Sequence, residues 1–110
     1  MNMTIALTGP VSAFFEAEGT QDLDALARCF SEQATVRDEG GTIEGPEAIK
    51  RWMKAAKAKY HHTVEPIAVS HRDGLTVVTA RVAGAFPNSP LKLQHLFAVD
   101  GGKIVSLEIR

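Results

Sequence analysis

The sequence has little of most things that announce a function. Its single cysteine, Cys29, cannot form a disulfide within the chain, a usage that suits a reducing cytoplasm. The longest uninterrupted apolar run is four residues, Leu96 to Val99, against the roughly 20 needed to cross a bilayer as a helix. The opening MNMTIALTGP has no basic region and no long apolar region, so it does not read as a signal peptide. Charge of either sign is not in excess: 12 Lys and Arg face 13 Asp and Glu. Nothing therefore draws the whole chain toward nucleic acid or anionic lipid. No His-x-His, His-x-x-Glu-His or Cys-x-x-Cys spacing is present, and a His61-His62 pair would project to opposite sides of a strand, so no metal is expected. Gly-x-Gly-x-x-Gly, P-loop and Gly-x-Ser-x-Gly motifs are also missing, so no nucleotide cofactor and no serine-hydrolase chemistry is expected. What these absences leave is a cytoplasmic domain with no cofactor and no nucleic-acid or membrane partner.

What is present is an ordinary globular composition, 45% hydrophobic and 23% charged over 110 residues. The whole chain, residues 1–110, reads as one domain. Its first half has helical spacing. Pro10 can open a helix in which Val11, Phe14, Phe15 and Glu18 share a face, with Gly19 as the stop. Thr20 or Asp22 can cap a second helix with Leu23, Leu26, Ala27 and Phe30 as its stripe. Ala34 to Asp38 reads as a short strand, and Thr42 to Glu44 as a strand returning beside it. Pro46 then opens a third helix with Ile49, Trp52, Met53 and Ala56 on its apolar face. Its Lys50, Arg51, Lys54, Lys57 and Lys59 read as a solvated basic face. The second half reads as strands: Tyr60 to Ser70, Leu75 to Phe86, Leu91 to Val99 and Lys103 to Ile109. Asp73-Gly74 and Asp100-Gly101 mark tight turns between them. Helices followed by an antiparallel meander predict an α+β fold with helices on one face of a curled sheet. The run from 91 to 99 has apolar residues on both faces, Leu91, Leu93, His95, Phe97 and Val99 on one, Leu96 and Ala98 with Lys92 and Gln94 on the other. A second apolar face predicts a homodimer through the sheet.

Three segments carry a family resemblance. Asp22-Leu-Asp-Ala-Leu-Ala-Arg-Cys-Phe-Ser-Glu-Gln-Ala-Thr-Val-Arg-Asp38 resembles the helix and strand of ketosteroid isomerase that end on its general-base aspartate. Gly45-Pro-Glu-Ala-Ile-Lys-Arg-Trp52 resembles the start of that fold's third helix, and Gly102-Lys-Ile-Val-Ser-Leu its last strand. The chain as a whole resembles the nuclear-transport-factor-2-like (cystatin-like) superfamily. Within it the nearest likeness is to SnoaL-like proteins, relatives of polyketide cyclases, through Arg37 to Gly40, Lys59-Tyr60 and Phe86 to Pro90. The resemblance implies a cone-shaped fold with a pocket for a small molecule. It implies function only weakly, because this fold hosts many activities.

Carried over residue by residue, the resemblance makes Asp38 the candidate base and places Phe14 and Gln94 in the pocket; Phe30 and Trp52, aromatics at helical spacing, and Tyr60 are further candidate pocket residues. Ketosteroid isomerase sets its aspartate against an oxyanion hole of a tyrosine and a protonated aspartic acid. Those positions fall here on Phe14, which has no donor, and Gln94, which has no acidic proton. Losing one such donor costs about 10²–10³ in rate, so steroid isomerisation itself is not expected. Tyr60 is a substitute hydroxyl donor. The Gln94 register sends His95 away from the pocket. Asp38 and Glu39, as strand neighbours, are expected on opposite faces and not in one site. Three readings stay open: an isomerase, cyclase or lyase acting on a small, largely apolar carbonyl compound with Asp38 as proton shuttle; a non-catalytic small-ligand binder; and a protein-interaction module using the outer sheet face. Against each stands the plainer reading of its residues: Asp38 as a solvated carboxylate beside Arg37 or Arg51, and Trp52, Phe30 and Cys29 as core.

Overall fold

The computed structural model describes residues 6–110. Two short helices come first, α1 (Gly9–Thr20) and α2 (Leu23–Arg28), followed by strands β1 (Phe30–Asp38) and β2 (Gly41–Glu44). Helix α3 (Pro46–Tyr60) then leads into a meander of β3 (Thr63–Arg72), β4 (Leu75–Ala83), β5 (Leu91–Asp100) and β6 (Lys103–Ile109). The six strands form one sheet in the order β2-β1-β6-β5-β4-β3. Every neighbour pairs antiparallel except β1 with β6, which run parallel. The α+β class and the three helices packed on a curled sheet agree with the sequence pattern.

Local chemistry sets most of the element ends. Pro10 lies in the first turn of α1, where its missing N–H is no loss. Gly19 does not stop that helix. The chain turns two residues later, where Gln21 takes the left-handed conformation at φ 57° and its N–H bonds back to Ala17 and Glu18 carbonyls. Asp22 caps α2 by accepting from the Ala25 N–H at 3.0 Å. Phe30 is not the end of the α2 stripe but the first residue of β1, which is four residues longer than the Ala34 start predicted. Tyr60 belongs to α3 and not to the next strand. His61 ends the helix in a left-handed turn at φ 48°, and its N–H reaches the Lys57 carbonyl. The second strand run stops at Ala83, which leaves Phe86 in the turn after it. Asp73 and Gly74, at φ 53° and 77°, make the mirror-image turn that suits a right-twisted hairpin. In the last hairpin the pair with positive φ is Gly101-Gly102, one residue on from the Asp100-Gly101 predicted.

The core lies between the helices and the inner face of the sheet. Its centre is aromatic. Phe14 meets Phe15, Phe30 and Phe97 edge-on, with ring centroids 5.1, 5.9 and 5.4 Å away, the arrangement that aromatic quadrupoles favour. Leu26, Ile49, Val36, Ile104 and Leu107 fill the space around it. On the outer face Val77 pairs with Leu96, while Thr79 pairs with Gln94 and Arg81 with Lys92, so that face is mixed.

Gly84, just after β4, shows how closely the turn packs on the end of α3. A Cβ built there would lie 2.7 Å from the Tyr60 carbonyl oxygen and 2.9 Å from His62 Cα. The Ala85 N–H bonds the same Tyr60 oxygen at 2.7 Å, so the backbone cannot drift apart without losing that bond. Gly84→Ala is expected to lower stability by about 1–3 kcal/mol, the usual cost of forcing extra volume into a packed site. Urea unfolding measures it, and an unchanged midpoint would contradict the packing.

Candidate functional site

Helices α1 and α3, the turn after β4 and the inner face of the sheet enclose a cavity of about 310 Å³. Its walls are mostly apolar, built from Phe14, Met53, Val64, Val82, Leu93 and Ile109. Two groups of polar side chains interrupt them.

The first group stands where β1 ends. Asp38 is the last residue of β1 and is half-buried. Trp52, one face of α3, donates its indole Nε1–H to Asp38 Oδ2 at 3.2 Å. Burial pushes the Asp38 carboxyl up, the Trp52 bond pulls it down, and neighbouring Glu39 pushes it up again; the balance lies above the ordinary value. Glu39 lines the same cavity, contrary to the alternation argument. The reason is that β1 stops at Asp38 and Glu39 takes a left-handed turn conformation at φ 52°, where strand alternation no longer applies. The Tyr60 hydroxyl donates to Glu39 Oε1 at 3.4 Å, and the Lys59 ammonium lies 5.0 Å from the Tyr60 ring centre.

The second group is built on buried charge. Glu18, on the apolar face of α1, is only 2% exposed. Its Oε2 lies 2.6 Å from Lys57 Nζ and 3.2 Å from His62 Nε2. Burial pushes the Glu18 carboxyl up, but its bonds with His62 and Lys57 outweigh that and hold it below its ordinary value. Lys57 also donates to the His62 carbonyl at 2.8 Å. His95, on β5, completes the group. It packs against Phe15 and Phe97, and burial pushes its pKa down to about 4, so the ring is neutral at pH 7. The two groups lie within electrostatic reach of one another: proximity to His62 is one of the influences that favour the ionised form of Asp38.

Of the residues singled out from the sequence, Asp38, Phe14, Trp52 and Tyr60 line the cavity. Phe30 does not. Its ring packs on Phe14 inside the core, because β1 begins at Phe30 and turns it under α1. Gln94 does not either. It faces outward beside Thr79, and His95 occupies the wall instead. On β5 the inward set is the odd-numbered Leu91, Leu93 and Phe97, and His95 shares their parity. A one-residue error in placing the strand therefore exchanges the faces of all its side chains. Tyr60 spends its hydroxyl on Glu39. Of the two adjacent histidines, His62 lines the cavity and His61 is exposed. Glu18, Lys57, His62 and His95 were not grouped from the sequence. One signal was available: Glu18 is a charge in an otherwise apolar helical stripe. Cys29 is buried, and burial pushes its thiol up, which suits a core residue. Among the described residues no three His, Cys, Asp or Glu side chains converge as a metal-ligand set.

Comparison with known proteins follows the same lines. The model of the SnoaL-like domain family matches residues 11–107. A crystal structure from Sinorhizobium meliloti, provisionally named a polyketide cyclase, is 38% identical. It covers 94% of this chain and 95% of its own, with a TM-score of 0.91. A hypothetical protein from Catenulispora acidiphila with a ketosteroid isomerase-like fold, solved with trimethylamine, is 20% identical over 96% of this chain and 86% of its own, at a TM-score of 0.81. A second protein provisionally named a polyketide cyclase, from Xanthomonas campestris, is 19% identical over 91% and 85%, at 0.79. The last two likenesses speak for the fold alone. No functionally curated protein matches the sequence. With a match across nearly its whole length and a 38% identical relative of the same fold, the chain belongs to the SnoaL-like domain family.

Proposed function

We propose that the protein is a cofactor-independent isomerase, cyclase or lyase for a small, largely apolar carbonyl compound, with Asp38 as its proton shuttle. The observation that carries this reading is the setting of Asp38: a half-buried carboxylate in an apolar cavity, with an indole donor at 3.2 Å and a pKa lifted by burial. A base with a raised pKa takes a proton from carbon more readily than a solvated aspartate does. In the first step ionised Asp38 takes a proton from the carbon next to the carbonyl, and the electron pair moves onto the carbonyl oxygen to give an enolate. In the second, the carboxylic acid returns that proton to another carbon, or the enolate carbon attacks a second carbonyl, closing a ring, and the alkoxide so formed takes the proton from the carboxylic acid. Both routes leave Asp38 as it began.

Phe14 sets a limit on the substrate. It lines the cavity and offers no hydrogen bond to a developing oxyanion. The carbon acid must therefore be acidic in itself, as it is when the C–H lies between a carbonyl and a second activating group. The polyketide-cyclase name of the 38% identical relative agrees with that chemistry.

The assay is hydrogen–deuterium exchange at the benzylic carbon of phenylacetone, followed by NMR in D₂O. The protein should accelerate exchange above buffer, and Asp38→Asn should lose about 10²–10⁴ of that acceleration. Exchange no faster than buffer, or full activity in Asp38→Asn, would overturn the proposal.

Trp52→Phe gives a second test. Removing the indole donor takes away a bond that favours the ionised form, so the Asp38 pKa should rise further. Exchange needs the ionised base, so the acid limb of the pH–rate profile should move to higher pH. A limb that moves down or stays in place would show that Trp52 does not tune the base.

A third test follows from the sign of the Asp38 shift. A carboxyl held above its ordinary value of 3.8 makes its ionised form a cost to the folded state. Asp38→Asn should raise the melting temperature at pH 7. The gain should shrink as the pH falls and vanish below 3.8, where both folded and unfolded chains hold the proton. Melting curves of the two proteins across pH check this, and a gain independent of pH would contradict the shift.

A further inference from the structure

The cavity runs from a buried floor to an open rim. Of the residues that line it, Phe14, Met53 and His95 are buried, Tyr60 and Phe86 are half-buried, and Glu39, Pro87 and Leu91 are exposed. Four pieces of chain therefore make the rim: the turn after β1, the end of α3, the turn after β4 and the start of β5. Tyr60 ties two of them to α3. Its hydroxyl donates to Glu39 Oε1, and its ring meets Phe86 edge-on, with centroids 6.0 Å apart. The backbone that carries Phe86 is pinned as well. The Ala85 N–H bonds the Tyr60 carbonyl at 2.7 Å, and the Gly84 N–H bonds Ser89 Oγ at 2.9 Å across the turn.

We propose that Phe86, backed by Tyr60, sets the size limit of the cavity, and that the ligand is a ketone of one or two rings, about a dozen non-hydrogen atoms, and not of four fused rings.

Volume argues the limit first. An apolar cavity of about 150 Å³ holds one benzene ring. The cavity here, at about 310 Å³, has room for roughly twice that and stands at the lower end of the range for small-molecule pockets. A four-ring skeleton overfills it and has to continue out through the rim. There the firmness of the wall decides. Tyr60 cannot give way without losing its bond to Glu39 and its contact with Phe86. The turn under Phe86 cannot retreat onto α3, because a Cβ at Gly84 would already lie 2.7 Å from the Tyr60 carbonyl oxygen. This limit is separate from the missing donor at Phe14, which bears on what the site does to a ketone and not on which ketone enters. The carbonyl in the ligand rests on Asp38 being the proton shuttle proposed above; the size limit stands without it.

The test compares 2-decalone, with two fused rings, and 5α-androstan-17-one, with four. Binding is read from the emission of Trp52, the chain's one tryptophan, which lines the cavity. Burial of apolar area on an open surface favours the larger ketone, so the reverse order is the mark of a wall. The wild-type protein should bind 2-decalone about tenfold tighter or more, the cost of forcing volume into a fixed site. Phe86→Ala should bring the ratio to one or reverse it. Leu91→Ala, which trims an exposed rim side chain, should move the ratio the same way and carries the test where circular dichroism shows Phe86→Ala unfolded. Equal or tighter binding of the four-ring ketone to the wild-type protein would overturn the proposal. So would an emission that 2-decalone leaves unchanged at millimolar concentration, or a ratio that stays the same in the folded variants. A tenfold ratio in a protein that exchanges no deuterium would keep the size limit and remove Asp38 as the shuttle. Exchange without a size preference would keep the shuttle and remove the limit.

Discussion

A buried carboxylate ties this fold together. Glu18 leaves water on the apolar face of α1, a loss that only close counter-charge can offset. Lys57, from the last turn of α3, supplies it, and His62, at the start of β3, adds a second contact. Lys57 also holds the His62 carbonyl, so one ammonium fixes both the side chain and the backbone of the segment where helix becomes strand. Two parts of the chain distant in sequence, α1 and the α3–β3 junction, thus meet at one carboxylate. Its burial depends on the aromatic cluster around Phe14, one turn earlier on the same helix face.

That arrangement explains how so small a chain holds two polar groups in one cavity without their collapsing together. Asp38 and Glu39 are carried by the end of β1, where the partner β2 is only four residues long. Glu18, His62 and His95 are carried by α1, the α3–β3 junction and β5. Each group is braced by its own donor: the Trp52 indole for Asp38, the Lys57 ammonium for Glu18. The environments push the two carboxyls in opposite directions, Asp38 up and Glu18 down. Two carboxylates with opposed shifts suit different tasks, the raised one for moving protons and the lowered one for holding a fixed charge. Glu18 has two cationic or polar neighbours fastened to it, and a base so fully paired is a poor proton acceptor. Asp38 is held only by neutral donors, the Trp52 indole and the Glu39 backbone.

The sequence made the fold legible because its signals were local. Pro10, Pro46, Asp22 and the Asp73-Gly74 turn mark element ends by their own chemistry, and period-2 apolar runs mark the meander. The errors fell where a boundary depends on a neighbour. Gly19 carries the ordinary stop signal, but Gln21 makes the turn, its N–H closing on the Ala17 and Glu18 carbonyls. Phe30 keeps helical spacing from Leu23 yet opens β1, because the parallel partner β6 accepts it opposite Ile104. Of the site, Asp38 was readable from a family likeness and Trp52 from its place on α3. The Glu18 group was not, since its members stand 18, 57, 62 and 95 along the chain and meet only in three dimensions.

The exchange of Gln94 for His95 carries the larger lesson about this cavity. A glutamine in the wall would have offered a donor in the place where the steroid isomerases hold a protonated acid. Histidine in that wall is a different instrument. Burial keeps it neutral, so it brings one donor and one acceptor and no charge. Phe14 brings no donor at all, so neither position repeats the tyrosine and protonated acid that the steroid isomerases set there. Here the polar side chains of the cavity are instead Asp38 and Glu39 from the end of β1, and Glu18, His62 and His95 from α1, the α3–β3 junction and β5. His95 stands in that wall because of which face of β5 is turned inward, and that is fixed by Phe97, which is fully buried in the aromatic core.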